Sequence, residues 1–326
     1  MRPPIALSIA GSDPSGGAGT LADLKTFAAV GAYGCACTTS LTSQNTLGVQ
    51  SVHGIDAEVV VSQVESVIDD LPVDATKIGM LGSAETVRHL ARMIASRRRD
   101  FGVVVLDPVM VATSGDPLLA PDADAALRDE LVPLADVITP NLPEGARLLG
   151  RPDDVATSLA AVREQAIELL ALGPRAVLLK GGHLADAQAV DVLAMNPSWA
   201  PGGRARVSEP VIREFTSPRI ETRNTHGTGC TLSSAIAAYA ARHAMPVDPR
   251  TAPGLEEAAP NVESSGAGTV PEQSDALRPV DDDALVEAVR RAKTYLTRAL
   301  REGAGWEISR TPDRGHGPVN HFAPET

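Results

Sequence analysis

Short apolar runs alternating with longer amphipathic stretches constrain this chain more than any other feature. Ile5–Ala10, Thr76–Gly79, Val103–Asp107, Val137–Thr139 and Ala176–Lys180 are brief and apolar, and Gly, Pro or polar residues follow each, the pattern of buried strands. Between them Leu21–Val30, Glu58–Leu71, Glu85–Arg98, Ala123–Leu131 and Leu159–Leu172 read as helices. In the second of these, Val60, Val64, Val67, Ile68 and Leu71 place one apolar stripe on one face. Alternation of this kind implies an α/β fold with a mostly parallel sheet covered by helices. Ala189–Ala194 and Pro210–Thr216 read as later strands at a sheet edge.

Composition narrows the partners. Apolar residues make up 43% of the 326 and charged residues 21%, which is ordinary for a folded chain with a substantial core. A net charge of −12 repels phosphate backbones and anionic membrane surfaces, and 3% aromatic residues leave few platforms for stacked bases. Neither nucleic acid nor membrane is therefore expected as a partner. The longest stretch without Asp, Glu, Lys or Arg, Thr26–Ile55, is too rich in Gly, Ser, Thr, Asn and Gln to face lipid. Cys35, Cys37 and Cys230 are an odd set without metal-site spacing, which fits a reducing cytoplasm better than a disulfide framework.

One segment breaks the pattern. Residues 249–283 hold five prolines and eight acidic residues with few large aliphatics, so they read as a disordered acidic insertion. Beyond it Leu285, Val289, Ala292 and Leu296 resume an amphipathic helix over Ala284–Arg301. Both sides of the insertion thus belong to one domain spanning residues 1–326.

Several loops that follow strands carry polar residues a scaffold does not need, and open α/β sheets bind ligands at that end. Gly11–Gly19 is a glycine-rich turn between a strand and a helix. It is no phosphate loop of the Walker type, because Gly17 stands where lysine is required. Gly17–Ala22 does fit a permissive dinucleotide fingerprint, but no acidic residue lies between Asp23 and Asp56 to hold a ribose. Asn224–Cys230 leads into a helix over Thr231–Arg242, so exposed N–H groups and the positive dipole end make an anion site suited to a transferring phosphoryl group. The same field is expected to favour the thiolate of Cys230; a buried small cysteine at a helix start is the alternative. Asp107 and Glu144 follow separate strands and can face one cleft, as Mg²⁺ beside substrate phosphates requires, although each alone suits a turn or cap. Lys180 leaves an apolar strand and needs an anion, either a nucleotide phosphate or a structural carboxylate. Neither His183 nor His226 is assigned a role.

Together these motifs resemble the ribokinase-like superfamily, and within it the hydroxymethylpyrimidine/phosphomethylpyrimidine kinases of thiamine biosynthesis. The resemblance rests on AGSDPSGGAG (Ala10–Gly19), ADLKTF (Ala22–Phe27), TSQNT (Thr42–Thr46), KIGML (Lys77–Leu81), DPVM (Asp107–Met110), TPNLPE (Thr139–Glu144), LKGGH (Leu179–His183), NTHGTGCTLSSAIAA (Asn224–Ala238) and GPVNHF (Gly317–Phe322). It covers nearly the whole chain outside the acidic insertion. It implies a three-layer α/β/α sandwich, usually in a homodimer, that uses ATP and Mg²⁺ to phosphorylate 4-amino-5-hydroxymethyl-2-methylpyrimidine and then its monophosphate. By position, Gly227, Thr228, Gly229 and Cys230 match the catalytic anion hole, with Cys230 where sugar-kinase relatives carry an aspartate base. Asp107 and Glu144 match the acids that hold Mg²⁺ and phosphate, and Lys180 the lysine that contacts nucleotide. Gln44 matches the residue that reads the pyrimidine, with Gly11 and Met80 as pocket walls. Pro14 and Thr20-Leu21 depart from the usual residues of the first loop and reduce its polar inventory.

The nearest alternative is a pyridoxal or pyridoxine kinase, which shares this scaffold and a similar substrate. An NAD-dependent oxidoreductase rests on the glycine fingerprint alone, and the missing ribose acid speaks against it. A non-catalytic pyrimidine sensor does not need Asp107, Glu144, Lys180 and Cys230 together.

Overall fold

The Ile5–Ala10 run forms strand β1, and its side chains separate by parity. Ile5, Leu7 and Ile9 enter one apolar core and Ala6 another, as the two-residue period of a strand buried on both faces dictates. The same split recurs in β6 (Val103–Leu106) and β8 (Ala176–Leu179), where alternate residues fill the two cores. The computed structural model describes residues 2–110, 123–182, 188–200, 209–244 and 280–323.

The main sheet has eight strands in the order β10-β9-β8-β7-β6-β5-β1-β2. It takes in β2 (Tyr33–Thr38), β5 (Ala75–Ile78), β7 (Val137–Ile138), β9 (Gln188–Met195) and β10 (Val211–Pro218). From β2 to β8 all pairings are parallel; β9 and β10 add an antiparallel hairpin at the edge, where the sequence places its late strands. Helices α2 (Ala57–Ile68), α3 (Ala84–Ser96), α5 (Leu142–Leu148) and α6 (Leu159–Leu170) cover one face. The short α4 (Ala123–Ala126), continued as a π-helix over Leu127–Leu131, joins them. Helices α1 (Gly19–Val30), α7 (Thr228–Ala244) and α8 (Asp282–Gly303) cover the other. The result is the expected three-layer sandwich. Among the described residues no helix is long and apolar enough to cross a membrane.

Two features differ from the sequence reading. The charge-free stretch after α1 forms β2 and a separate antiparallel pair, β3 (Ser40–Asn45) and β4 (Gly48–Gly54), which no apolar run announces. Much of this pair is exposed, so it needs little apolar sequence. The second difference concerns the acidic insertion. Its residues 249–279 lie outside the described residues, but Val280–Asp283 do not belong with it. Val280 is buried, Asp281 caps α8 by accepting a hydrogen bond from the Ala284 N–H at 2.7 Å, and Asp282 and Asp283 occupy the first turn. Acidic residues favour that position because the helix dipole is positive there, so local composition alone misassigns them.

Chain order reverses between β1 and β5: β2 lies on one side of β1, and the later strands grow from the other. Such a switch point opens a crevice at the carboxyl ends of the strands. Gly11, Met80, Asp107, Glu144 and Lys180 all lie just beyond those ends.

Candidate active site

Asp107, the first residue after β6, is buried and collects donors from three directions. Thr139 Oγ1 and Lys180 Nζ each donate to Oδ1 at 3.1 Å, and Ser233 Oγ of α7 donates to Oδ2 at 3.2 Å. Lys180 also lies 3.8 Å from Glu144, so one ammonium serves two carboxylates. Burial opposes ionisation of Asp107, but the charges of Lys180 and Lys77 and the hydrogen bonds from Lys180 and Thr139 hold it below the usual carboxylate range. Glu144 shows the opposite balance. Burial pushes it up to about 7, with the Asp107 charge adding to the effect and Lys180 and the Asn141 N–H acting against it. Lys180 is held above its ordinary value by the two acids, against the effect of burial.

Glu144 is also the cap residue that its position suggests. Its Oε2 accepts from the Asn141 N–H at 2.7 Å while Asn141 Oδ1 accepts from the Glu144 N–H at 2.8 Å, a reciprocal capping box opening α5. The cap fixes the carboxylate where it meets Lys180. Structural and chemical readings of this residue are therefore compatible.

The Asn224–Cys230 loop comes down on these acids. A side chain at Gly229 would stand 3.4 Å from Lys180 Nζ and 3.5 Å from Asp107 Oδ2, so the start of α7 opens directly onto the charged cluster. Gly227 has φ +77°, and any Cβ there would run into the Gly17 carbonyl oxygen. The two glycine-bearing loops thus touch at backbone level, which only glycine permits. Gly227, Thr228, Gly229 and Cys230 form the first turn of α7 and its approach.

Cys230 departs from expectation. Burial pushes its thiol up to about 11, with Asp23 and Asp107 adding to the effect, while Lys77 and a hydrogen bond from the Gly19 N–H pull the other way. Cys230 is only partly buried, but desolvation still outweighs the helix dipole, so the thiol form is favoured over the expected thiolate.

Beneath Cys230 lies an ion pair to which the sequence reading gives no role. Lys77 of β5 is fully buried, and its ammonium donates to Asp23 of α1 at 2.9 and 2.8 Å. Ser8 Oγ of β1 and Ser234 Oγ of α7 donate to the same carboxylate, each at 2.6 Å. Asp23 lies one turn past Gly19, and Ser234 one turn past Cys230, so the pair sits under the junction of the two loops. The signal was available: a lysine inside a four-residue strand can only be buried, and demands an acid.

On the other side of the crevice, Gly11 faces Met80, whose methyl group would lie 2.6 Å from a Cβ at that glycine. Ser12 N–H donates to the Ser40 carbonyl at 2.8 Å, which ties the first loop to β3. Gln44 extends from β3 and reaches His226: its carboxamide nitrogen stands 3.3 Å from His226 Nε2 and its oxygen 3.2 Å from Thr42 Oγ1. His226 Nε2 in turn lies 2.7 Å from Asp13 Oδ2. Burial works against ionisation of Asp13, but hydrogen bonds from His226 and Ser15 hold its carboxyl below the usual range. Sequence reasoning passed over His226 because its partners come from two distant loops. His183 lies outside the described residues. A separate cavity of about 520 Å³, with Arg98, Arg175 and Trp199 in its wall, opens at the opposite end of the strands beside the start of α8 and includes none of the candidate site residues.

Comparison with known proteins shows the family. A sequence profile described as phosphomethylpyrimidine kinase matches residues 13–249. The hydroxymethylpyrimidine/phosphomethylpyrimidine kinase of Escherichia coli is 44% identical over 317 residues, covering 97% of each chain. An ADP complex of Bacillus subtilis pyridoxal kinase superposes with a TM-score of 0.72 at 32% identity, covering 99% of this chain and 98% of that one. A phosphomethylpyrimidine kinase structure from Clostridium difficile gives a TM-score of 0.64 at 33% identity, with 91% and 99% covered.

The geometry makes two predictions. Asp23→Ala leaves the Lys77 ammonium buried and unpaired, which should cost about 3–5 kcal/mol of stability. Adding Lys77→Met should recover most of the loss; denaturant unfolding in which the double variant is no more stable than Asp23→Ala would contradict the pairing. The second concerns pH. With its folded value raised from 4.5 to about 7, Glu144 costs stability as pH rises through that window, because the unfolded chain ionises first. Glu144→Gln keeps an oxygen for the cap and removes the titration. In cation-free buffer its melting temperature should therefore gain on the wild type between pH 4.5 and pH 8. A difference that does not change with pH would refute the assignment.

Proposed function

The chain belongs to the phosphomethylpyrimidine kinase family, and from that premise we propose that it transfers the terminal phosphoryl group of ATP to 4-amino-5-hydroxymethyl-2-methylpyrimidine and then to the resulting monophosphate, in thiamine biosynthesis. The observation that carries this reading is the convergence of Gly229, at the start of α7, on Asp107 and Lys180. Backbone donors for an anion, two carboxylates and a lysine thus surround one point at the switch of the sheet. Phosphoryl transfer asks for little covalent chemistry from a protein; positioning and charge stabilisation dominate, and this cluster supplies both.

The donor set suits a divalent cation. Two buried carboxylates share one ammonium, and burial, with the Asp107 charge adding to it, holds Glu144 at about 7. Mg²⁺ takes one or two carboxylates and completes its shell with phosphate and water, so Asp107 and Glu144 are the residues we assign to it. Bound there, it would neutralise charge developing on the phosphates. Lys180 is assigned to the nucleotide, Gly227–Cys230 to the transferring group, and Gln44, Gly11 and Met80 to the pyrimidine. The reading includes a homodimer and a cytoplasmic location, as the family resemblance implies. A pyridoxal-kinase reading is favoured by one observation, the higher TM-score to the Bacillus subtilis enzyme.

Cys230 separates the two steps. The alcohol must lose a proton as phosphorus is attacked, whereas a phosphate nucleophile is already largely ionised near neutral pH. A thiol at about 11 accepts protons only through its small thiolate fraction, which below that value grows about tenfold with each unit rise in pH. Phosphorylation of the alcohol should therefore accelerate from pH 7 to 9, and Cys230→Ala should remove both that rise and most of the rate. The monophosphate step should lose distinctly less, since the backbone donors remain. Steady-state ATP consumption with the pyrimidine, its monophosphate and pyridoxal tests both claims. Turnover of pyridoxal alone would overturn the proposed function, and equal losses in the two steps would remove Cys230 as proton acceptor.

A further inference from the structure

The Gln44 carboxamide meets His226 through its nitrogen and Thr42 through its oxygen, and giving the Thr42 hydrogen to its shorter contact, the Ser12 carbonyl, sets both meetings at odds. Asp13 has only acceptors to offer when ionised, and its oxygen lies 2.7 Å from His226 Nε2, so that nitrogen must carry the proton. The same N–H then faces the Gln44 carboxamide nitrogen at 3.3 Å, donor against donor. On the other flank, Thr42 Oγ1 has a single hydrogen and donates it to the Ser12 carbonyl at 2.9 Å. Toward Gln44 it can only accept, yet it meets the carboxamide oxygen at 3.2 Å. Both conflicts vanish if the amide is turned over. Oxygen and nitrogen of a carboxamide have nearly the same shape, so partners must decide which is which.

We propose that the Asp13–His226 pair fixes the polarity of the Gln44 carboxamide, with its carbonyl oxygen toward His226 and its NH₂ toward Thr42, and thereby sets the direction in which an aminopyrimidine enters the site. His226 Nε2–H is shared between Asp13 and the Gln44 oxygen. Thr42 Oγ1 accepts from the Gln44 NH₂. Each flank occupies one hydrogen-bonding position, and the outward edge of the amide keeps one lone pair and one N–H. That edge accepts on the His226 side and donates on the Thr42 side.

The consequence for orientation rests on Gln44 reading the pyrimidine, as proposed above. A 4-aminopyrimidine offers a donor, its amino group, beside an acceptor, its ring nitrogen. Its amino group must meet the Gln44 oxygen on the His226 side, and the ring nitrogen must meet the NH₂. The hydroxymethyl carbon is attached next to the amino-bearing carbon, away from that ring nitrogen. It therefore points past His226, toward the loop that continues into Gly227–Cys230. The opposite amide polarity would aim the same group away from the anion site. A 4-oxo-pyrimidine, which carries N–H and carbonyl in the reverse order, meets donor with donor and acceptor with acceptor. His226 is thus a positioning residue that acts through Gln44 on substrate choice.

The test compares kcat/KM for the 4-amino substrate and its 4-oxo analogue. The wild type should prefer the amino form by at least about a hundredfold, because a site built around paired hydrogen bonds rejects an analogue that leaves them unmade. His226→Leu frees the amide and should lower that preference at least about tenfold, chiefly through KM for the amino substrate. His226→Gln can place an N–H near the same point and should keep the preference within about threefold. Loss of rate in His226→Leu with an unchanged preference would overturn the proposal. Independently, long-range ¹H–¹⁵N spectra of the ligand-free protein should find the proton on His226 Nε2, and its absence there would equally overturn the proposal. This second measurement uses no substrate. Failure of the wild type to phosphorylate either pyrimidine would sink the kinase reading and leave the polarity to be decided by the spectrum.

Discussion

An ammonium ion in the middle of a sheet has to be answered from several sides at once, and the answer to Lys77 organises this molecule. Its partner Asp23 comes from α1, while the hydroxyls that complete the carboxylate's shell come from β1 and α7. Four elements distant in sequence are thereby held to one point. Leaving either charge alone would cost several kcal/mol, which makes the geometry strict even if the intact pair adds little net stability. The same point lies under Gly19 and Cys230, so the register of α1 against α7 is set where the two glycine loops meet.

Above that floor the site is a problem of charge balance. Asp107 and Lys180 settle each other, and Glu144 is left as the surplus acid. The capping box explains why the surplus is kept: Glu144 is tied to the entry of α5, and a shift that relieved its charge would break the cap. Such a cluster is what the proposed binding of a cation beside phosphate requires. The fold thus holds an electrostatic imbalance at the crevice, and the core on both faces of the sheet provides the stability to maintain it.

Local periodicity made the sheet and most helices readable, because strands buried on both faces and helices covered on one leave unmistakable apolar patterns. It failed for β2, β3 and β4, where exposure removes the need for apolar residues and the strands gain order from their neighbours. Asp281–Asp283 were misread for a related reason: three adjacent acids look like disorder in composition and act as a helix start in context. Asp107, Glu144, Lys180 and the Gly227–Cys230 turn were legible because each directly follows a strand end or opens a helix. The state of Cys230 was not, since the dipole acting on it is local in sequence while the burial that overrides it is not. Lys77 and Asp23 were both in recognised motifs, but only folding shows that residues 54 positions apart close into one contact.

His226 joins the two halves of the site. Its backbone N–H donates to the Gly317 carbonyl at 3.0 Å, which fastens the loop to the C-terminal tail, and that tail returns to the turn after β3 through the His316 N–H on the Thr46 carbonyl at 2.8 Å. Its ring meanwhile bonds Asp13 in the first loop and touches Gln44. The next residue, Gly227, makes the backbone contact with Gly17 that only glycine allows. Two consecutive residues therefore fix both the side assigned above to the pyrimidine ring and the side assigned to the phosphoryl group. A shift in either would disturb recognition and transfer together. On the proposed reading, a substrate held in the correct direction is for that reason also held at the anion site, and the fold needs no separate device to align them.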